Sequence, residues 1–239
     1  MEFISNKAYS GGAVYTSNNK NKTLFDVYNK NINYIDNIAE SHGNDYATNP
    51  YMINLINKNV RNIVIKSGST FSLEFDLKDQ FNQYVNDISK YYSNIGLETY
   101  ITNDNINQTD YAMLKNNCYF SKGKCELKNV SILLKTSKDN NNINLNITVE
   151  NDNYNVKFNV DEINVLIEKC EDNQIIMYEK HGFYYCEDPK CKSFCPVDKS
   201  AICEKGRDEK INDPNINKCK CMKGWIGDEC EQKEYIKLK

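Results

Sequence analysis

The chain has 239 residues, enough for one large domain or two to three small ones. Its net charge of −3 lacks the basic footprint that nucleic acid or an anionic membrane surface requires, so no nucleic-acid partner is expected. Aromatic residues make up 11%, with 17 tyrosines, which argues against a disordered polymer, and no stretch of eighteen apolar residues is present.

Residues 1–50 contain an internal repeat. Phe3-Ile4-Ser5-Asn6-Lys7-Ala8 recurs 31 residues later as Tyr34-Ile35-Asp36-Asn37-Ile38-Ala39. Each copy is followed by glycine, Gly11-Gly12 in the first and Gly43 in the second. A short aromatic strand, an asparagine, a small residue and a glycine turn make one rung of a stacked β structure, which needs neighbours above and below to cover it. Gly11-Gly12-Ala13-Val14-Tyr15 resembles the Gly-Gly-Ala-Ile motif of chlamydial polymorphic outer-membrane-type repeats. The resemblance implies short parallel β-helix rungs. Two rungs are few for a solenoid, and Met1-Glu2-Phe3-Ile4-Ser5 lacks the features of a signal peptide. The chain is therefore expected to be a piece of a longer secreted or membrane-anchored protein, or to carry a mis-called start. His42, with no other metal-ligating residue type clustered near it, is expected to be a turn residue rather than a ligand.

Residues 51–170 read as strands. Phe71-Ser72-Leu73-Glu74-Phe75-Asp76-Leu77 alternates strictly, as a strand with one buried face does. Asn144–Val149 and Tyr154–Val160 are joined by Glu150-Asn151-Asp152-Asn153, a hairpin signal. Val165-Leu166-Ile167 would be the last strand. Gln80–Tyr92 is expected to be helical, with Phe81, Tyr84, Val85 and Ile88 on one face. Glu74, Asp76 and Asp79 are expected on a solvated strand face and corner, and Asn140-Asn141-Asn142 in a solvated loop. About seven alternating strands with polar turns predict an antiparallel β-sandwich. The Ser67-Gly68-Ser69 turn, its following strand and the Asp79–Asn82 corner resemble bacterial-type and filamin-type immunoglobulin-like repeats. The Cys…Trp…Cys core of antibody domains is missing.

The ten cysteines are Cys118, Cys125, Cys170, Cys186, Cys191, Cys195, Cys203, Cys219, Cys221 and Cys230, an even number that permits full pairing. The segment Cys219-Lys-Cys221-Met-Lys-Gly224-Trp225-Ile-Gly227-Asp-Glu-Cys230 resembles the closing hairpin of an EGF-like module. That resemblance implies Cys191–Cys203, Cys195–Cys219 and Cys221–Cys230. The remaining cysteines then pair as Cys170–Cys186 and Cys118–Cys125, the latter across a Ser121-Lys122-Gly123-Lys124 turn. Zinc is the competing use of these thiols, but it leaves the glycines unexplained. A disulfide-stapled module implies an oxidising, extracellular setting. The expected division is a β-helix-type repeat end over 1–50, an immunoglobulin-like sandwich over 51–170, an EGF-like module over 171–232 and a juxtamembrane or linker tail over 233–239.

Four Asn-x-Ser/Thr sequons mark Asn21, Asn107, Asn129 and Asn146 as glycosylation candidates. Calcium-binding EGF modules carry an acidic set before the first cysteine and an amide or carboxylate ahead of an aromatic later. Here Glu187-Asp188-Pro189-Lys190 and Asn217 depart from both, so no calcium site is expected. Trp225 is expected to pack on the terminal hairpin. No nucleophile elbow, phosphate loop or zinc-protease motif occurs, so no catalytic residue, metal or cofactor is expected.

The order β-helix end, sandwich, EGF-like module resembles the ectodomains of large surface proteins of A/T-rich eukaryotic microbes such as anaerobic gut fungi. It implies a non-catalytic recognition or stalk region of a cell-surface adhesin or receptor, binding protein or glycan and attached to a membrane through a downstream segment. The alternative is a cohesin-like scaffold module that docks enzymes of an extracellular polysaccharide-degrading complex. The least favoured reading is a fragment of a carbohydrate-active enzyme.

Overall fold

The computed structural model describes residues 1–16, 30–57, 61–102, 108–135, 141–150, 153–159, 163–207 and 211–235. Asn21, Asn107, Asn140, Asn151, Asp152, Val160 and the tail from 236 lie outside the described residues. Those described form an all-β protein, without α-helix, built from several sheets and five disulfides.

Six short strands come first: β1 (Glu2–Ile4), β2 (Lys7–Ser10), β3 (Val14–Thr16), β4 (Asn33–Ile35), β5 (Ile38–His42) and β6 (Tyr46–Thr48). They pair in parallel as β1–β4, β2–β5 and β3–β6. The two sequence copies therefore lie side by side, Phe3 opposite Tyr34, Ile4 opposite Ile35 and Ala8 opposite Ala39. Like residues in parallel register can repeat one interaction. The Phe3 and Tyr34 rings stack at 5.6 Å, and Asn37 Oδ1 accepts both the backbone and side-chain N–H groups of Asn6. Ser5 and Asp36, also 31 apart, both turn the chain in the left-handed region, at φ 54° and 53°. Gly11 needs to be glycine, because at φ 62° a Cβ would stand 2.1 Å from the Val14 carbonyl oxygen. His42 is not a turn residue but the buried end of β5. Its Nε2 donates to the Thr48 carbonyl at 2.9 Å, and its Nδ1 lies 2.9 Å from the Ser41 hydroxyl.

The central strands are β7 (Pro50–Leu55), β8 (Asn62–Lys66), β9 (Thr70–Asp79), β10 (Gly96–Thr102), β11 (Tyr111–Leu114), β12 (Asn117–Tyr119), β13 (Lys124–Leu134), β14 (Asn141–Glu150), β15 (Lys157–Phe158), β16 (Ile163–Glu168), β17 (Ile175–Tyr178) and β18 (Tyr184–Glu187). They form two sheets, one in the order β12-β10-β14-β16-β8, the other β15-β7-β9-β13-β18-β17 with β11 also on β13. One core lies between them. Leu73, Phe75 and Leu77 enter it from β9, Ile132 and Leu134 from β13, Ile143 and Leu145 from β14, Ile163, Val165 and Ile167 from β16. Alternation along β9 and β16 puts every second residue inside, as period-two geometry requires.

The sandwich departs from the sequence reading in five places. It is mixed rather than purely antiparallel, since β8–β16 and β7–β15 are parallel. The expected hairpin after β14 does not form: β10 and β16 already occupy both edges of β14, so β15 crosses to the other sheet. Asn141 and Asn142 belong to β14 rather than a loop, hydrogen-bonded opposite Ile167 and Leu166. Gln80–Tyr92 is an irregular corner rather than a helix. Asp79 takes the amides of Phe81 and Gln83, and Asn82 and Lys90 adopt positive φ. Finally, the seven-stranded sheet continues through β17 and β18, past the residue 170 at which the sequence division was drawn.

Two disulfides join the two sheets. Cys118 on β12 bonds Cys125 on β13, and Cys170, just after β16, bonds Cys186 on β18. Between Cys118 and Cys125 the chain reverses at Lys122 and Gly123, with φ 50° and 72°, and Ser121 and Lys124 exchange backbone hydrogen bonds at 2.8 and 3.0 Å.

The last strands are β19 (Ala201–Glu204), β20 (Lys218–Cys221), β21 (Trp225–Ile226) and β22 (Gln232–Lys233), paired β19–β20 and β21–β22. Among the described residues here, the buried apolar set is Cys195, Ala201, Cys203 and Cys230, so cross-links stand in for a core. They join Cys191 to Cys203, Cys195 to Cys219 and Cys221 to Cys230. Buried Asn217 adds polar ties, accepting the Gly206 amide and donating to the Lys190 carbonyl and Asn212 Oδ1. Lys233 Nζ lies 5.6 Å from the Trp225 ring centroid.

Candidate functional site

Where the parallel N-terminal strands meet the sandwich, five tyrosines surround a cleft of about 390 Å³. Tyr9 and Tyr15 come from β2 and β3, Tyr91 and Tyr92 from the corner after β9, and Tyr154 from the segment before β15; Ser10 and Asn49 complete the lining. The volume falls in the ~300–1,000 Å³ range of small-ligand sites.

A buried carboxylate ties the walls of the cleft together. Asp87 is 3% exposed, and its carboxylate accepts the amides of Tyr91 at 2.9 Å and Tyr92 at 2.8 Å. The Tyr9 hydroxyl donates to the same carboxylate at 2.6 Å and accepts the Ser89 amide at 3.2 Å. One carboxylate thus fixes three of the five tyrosines across 78 residues of sequence. Tyr9 and Tyr91 also meet edge to face at 4.6 Å, and Tyr92 and Tyr154 at 5.3 Å. Tyr15 donates its proton to Asn49 Oδ1, so the Tyr92 hydroxyl, 3.3 Å away, donates to Tyr15.

Burial raises the phenol pKa of Tyr9, with Asp87 adding to the rise. Burial also raises Tyr15 and, more strongly, Tyr92, which donates to Tyr15. All three therefore stay neutral hydroxyl groups throughout the physiological range. Tyr91 is 63% exposed and Tyr15 44%, whereas Tyr92 is 6% exposed. The cleft thus offers two accessible rings over a buried, hydrogen-bonded floor.

Two other concavities are more polar. One beside the Cys170–Cys186 bridge includes Glu171, Asp172 and Lys205; another beside β7 and β9 includes Arg61, Asp76 and Lys78. Both carry charges of each sign, and neither groups aromatic rings.

Of the sequence-derived candidates, Asn129 is exposed at a bulge in β13, at φ 54°. Asn146 is half-buried on β14 and donates to the Thr102 hydroxyl. Asn21 and Asn107 lie outside the described residues. Glu74 is exposed, Asp76 is half-buried and accepts Asn54 Nδ2 at 3.0 Å, and Asp79 is fully buried rather than solvated. Sequence reasoning missed the cleft itself. Its tyrosines are scattered from 9 to 154, and the adjacent Tyr91-Tyr92 pair was the only local signal.

No family model matches the chain, and no curated protein matches it. Among solved structures, the apo-form Calx CBD1 domain aligns with 50% of this chain and 97% of its own, at 10% identity and a TM-score of 0.32. A type I cohesin–dockerin complex from Clostridium thermocellum, Coh-OlpC-Doc435, aligns with 50% and 95%, at 10% identity and a TM-score of 0.21.

Proposed function

We propose that the chain is a non-catalytic recognition region of an extracellular, cell-surface adhesin or receptor, taking a protein or glycan as its ligand. The observation that carries this reading is the tyrosine cleft, a preformed concave surface with exposed rings and fixed hydroxyls. The five disulfides support an oxidising, extracellular location. We read the paired strands of residues 2–48 as two rungs of a parallel β-helix, supported by residue-for-residue pairing at the 31-residue repeat. We read residues 191–230 as an EGF-like module, supported by the order of its three bridges and by Gly224 and Gly227 at positive φ.

The test is capture of ligands by the immobilised, oxidised chain on a glycan array and from the proteins of a surface extract. A specific, saturable ligand, released on reduction of the disulfides, is expected. Absence of any saturable ligand overturns recognition and leaves a spacer. Cleavage of soluble polysaccharide by the purified chain overturns the non-catalytic reading.

A further inference from the structure

We infer that the tyrosine cleft is a subsite for a neutral oligosaccharide, one pyranose ring seated against Tyr15 and Tyr91. The inference rests on the recognition reading and narrows it to one ligand chemistry. A pyranose presents apolar C–H faces and a rim of hydroxyls, so its site needs aromatic surface and neutral hydrogen-bonding groups together. Tyr91 and Tyr15, 63% and 44% exposed, supply the surface. The Tyr92–Tyr15–Asn49 chain supplies oriented polar groups at the floor.

Charge decides between ligand classes. Among the described residues, no charged side chain lines the cleft. A phosphate, sulfate or uronate would therefore enter without a counter-charge. An alkylammonium is the natural rival for a group of aromatic rings. The nearby anion, however, is Asp87, buried to 3% and already accepting three hydrogen bonds. That carboxylate is not part of the lining, so a cation in the cleft would have no exposed counter-charge to pair with. A neutral polyol has no such requirement.

The site is also prearranged. Asp87 fixes Tyr9, Tyr91 and Tyr92 through their own hydroxyl or backbone groups, so binding orders little that is not already ordered.

The test is calorimetric titration of the oxidised 239-residue chain with cellohexaose, xylohexaose and mannohexaose, and separately with hexagalacturonate and choline. Variants are Tyr91→Ala, Tyr15→Ala and Tyr15→Phe, their folding checked by circular dichroism; all three alter exposed side chains. At least one neutral hexasaccharide is expected to bind saturably. Tyr91→Ala and Tyr15→Ala each weaken it about threefold to tenfold, as loss of an aromatic contact does, and Tyr15→Phe weakens it less than Tyr15→Ala. The inference is overturned if none of the three neutral sugars binds, if both alanine variants bind as well as the parent, or if only hexagalacturonate or choline binds. Capture of a protein without any sugar sinks the inference and leaves recognition standing. No ligand of any kind sinks both.

Discussion

Asp79 and Thr48 lock the N-terminal strands to the sandwich by a reciprocal pair of bonds. Asp79 Oδ2, at the end of β9, accepts the Thr48 amide at 3.1 Å, and Thr48 Oγ1 accepts the amide of the next residue, Gln80, at 2.9 Å. Both side chains are fully buried. The same carboxylate accepts the amides of Phe81 and Gln83 and the side chain of Gln83, whose Nε2 also reaches the Tyr46 carbonyl at 2.8 Å. Removing this acceptor strands several buried donors, each costing about 1–3 kcal/mol. Asp79→Ala is expected to destabilise the chain by about 3 kcal/mol or more, and Asp79→Asn by less. Denaturant unfolding of the oxidised protein measures both.

The opposite outcome is expected at Tyr184. Its ring is 1% exposed in the core, yet its hydroxyl has no hydrogen-bond partner among the described residues. Removing an unpaired buried hydroxyl while keeping the ring lifts a desolvation penalty. Tyr184→Phe is expected to be neutral or to stabilise by up to about 1 kcal/mol, seen as an unchanged or raised denaturation midpoint.

The disulfides should matter unequally. The sandwich has a large apolar core, whereas the C-terminal strands bury almost nothing but cysteine. The Cys195–Cys219 bridge spans a separation of 24 residues, for which chain-entropy restriction contributes about 3 kcal/mol. Replacing both cysteines by serine is expected to make the β19–β22 strands sensitive to trypsin while the sandwich strands β9, β13, β14 and β16 stay resistant. Mass mapping of the cleavage sites checks this.

Tyrosine ionisation should loosen the cleft at alkaline pH. Tyr9, Tyr15 and Tyr92 have folded pKa values raised above the ordinary 10, chiefly by burial. Their contribution to stability is complete below about pH 10, where folded and unfolded phenols are both protonated. It is lost as pH rises further, because the unfolded chain releases those protons first. Absorbance at 295 nm is expected to show a late fraction of phenols ionising together with loss of folded structure. Tyr15→Phe and Tyr92→Phe should diminish that fraction.

The sequons should differ in occupancy. At Asn129 the bulge between Leu127 and Val130 leaves the side chain exposed on β13. At Asn146 the amide that would carry the glycan already donates to Thr102 across the β14–β10 pair. In a eukaryotic secretory host, glycopeptide mass spectrometry is expected to find Asn129 the more fully occupied. Asn146→Gln should leave secretion unchanged.

What was legible in the sequence was local. The alternation through Phe71–Leu77 exposes Ser72 and Glu74 and buries Leu73, Phe75 and Leu77. The 31-residue echo of Phe3–Ala8 became a parallel register because like residues stack on like. Local pattern misled where tertiary demands outweighed it. Phe81, Tyr84, Val85 and Ile88 have helical spacing, but only Val85 is buried, because Asn82 turns the chain at φ 63° and the Val85 amide donates to the Leu77 carbonyl of β9 instead of to a helical turn. The parallel β8–β16 pair joins strands about 100 residues apart, for which no adjacent turn exists to read. The cleft was hidden for the same reason: Tyr9 and Asp87 meet only once both segments fold.

The Cys170–Cys186 bridge has a mechanical consequence. In the seven-stranded sheet β18 pairs with β13 through one residue pair, Leu134 with Tyr184, and Ser67 adds bonds to the Tyr184 carbonyl and the Cys186 amide. Tension arriving from residue 187 onward would otherwise peel that strand away one bond at a time. The covalent link to the end of β16, on the opposite layer, passes the pull into both sheets together. A chain loaded from its C-terminal side would then yield by shearing a whole sandwich rather than by unzipping its edge.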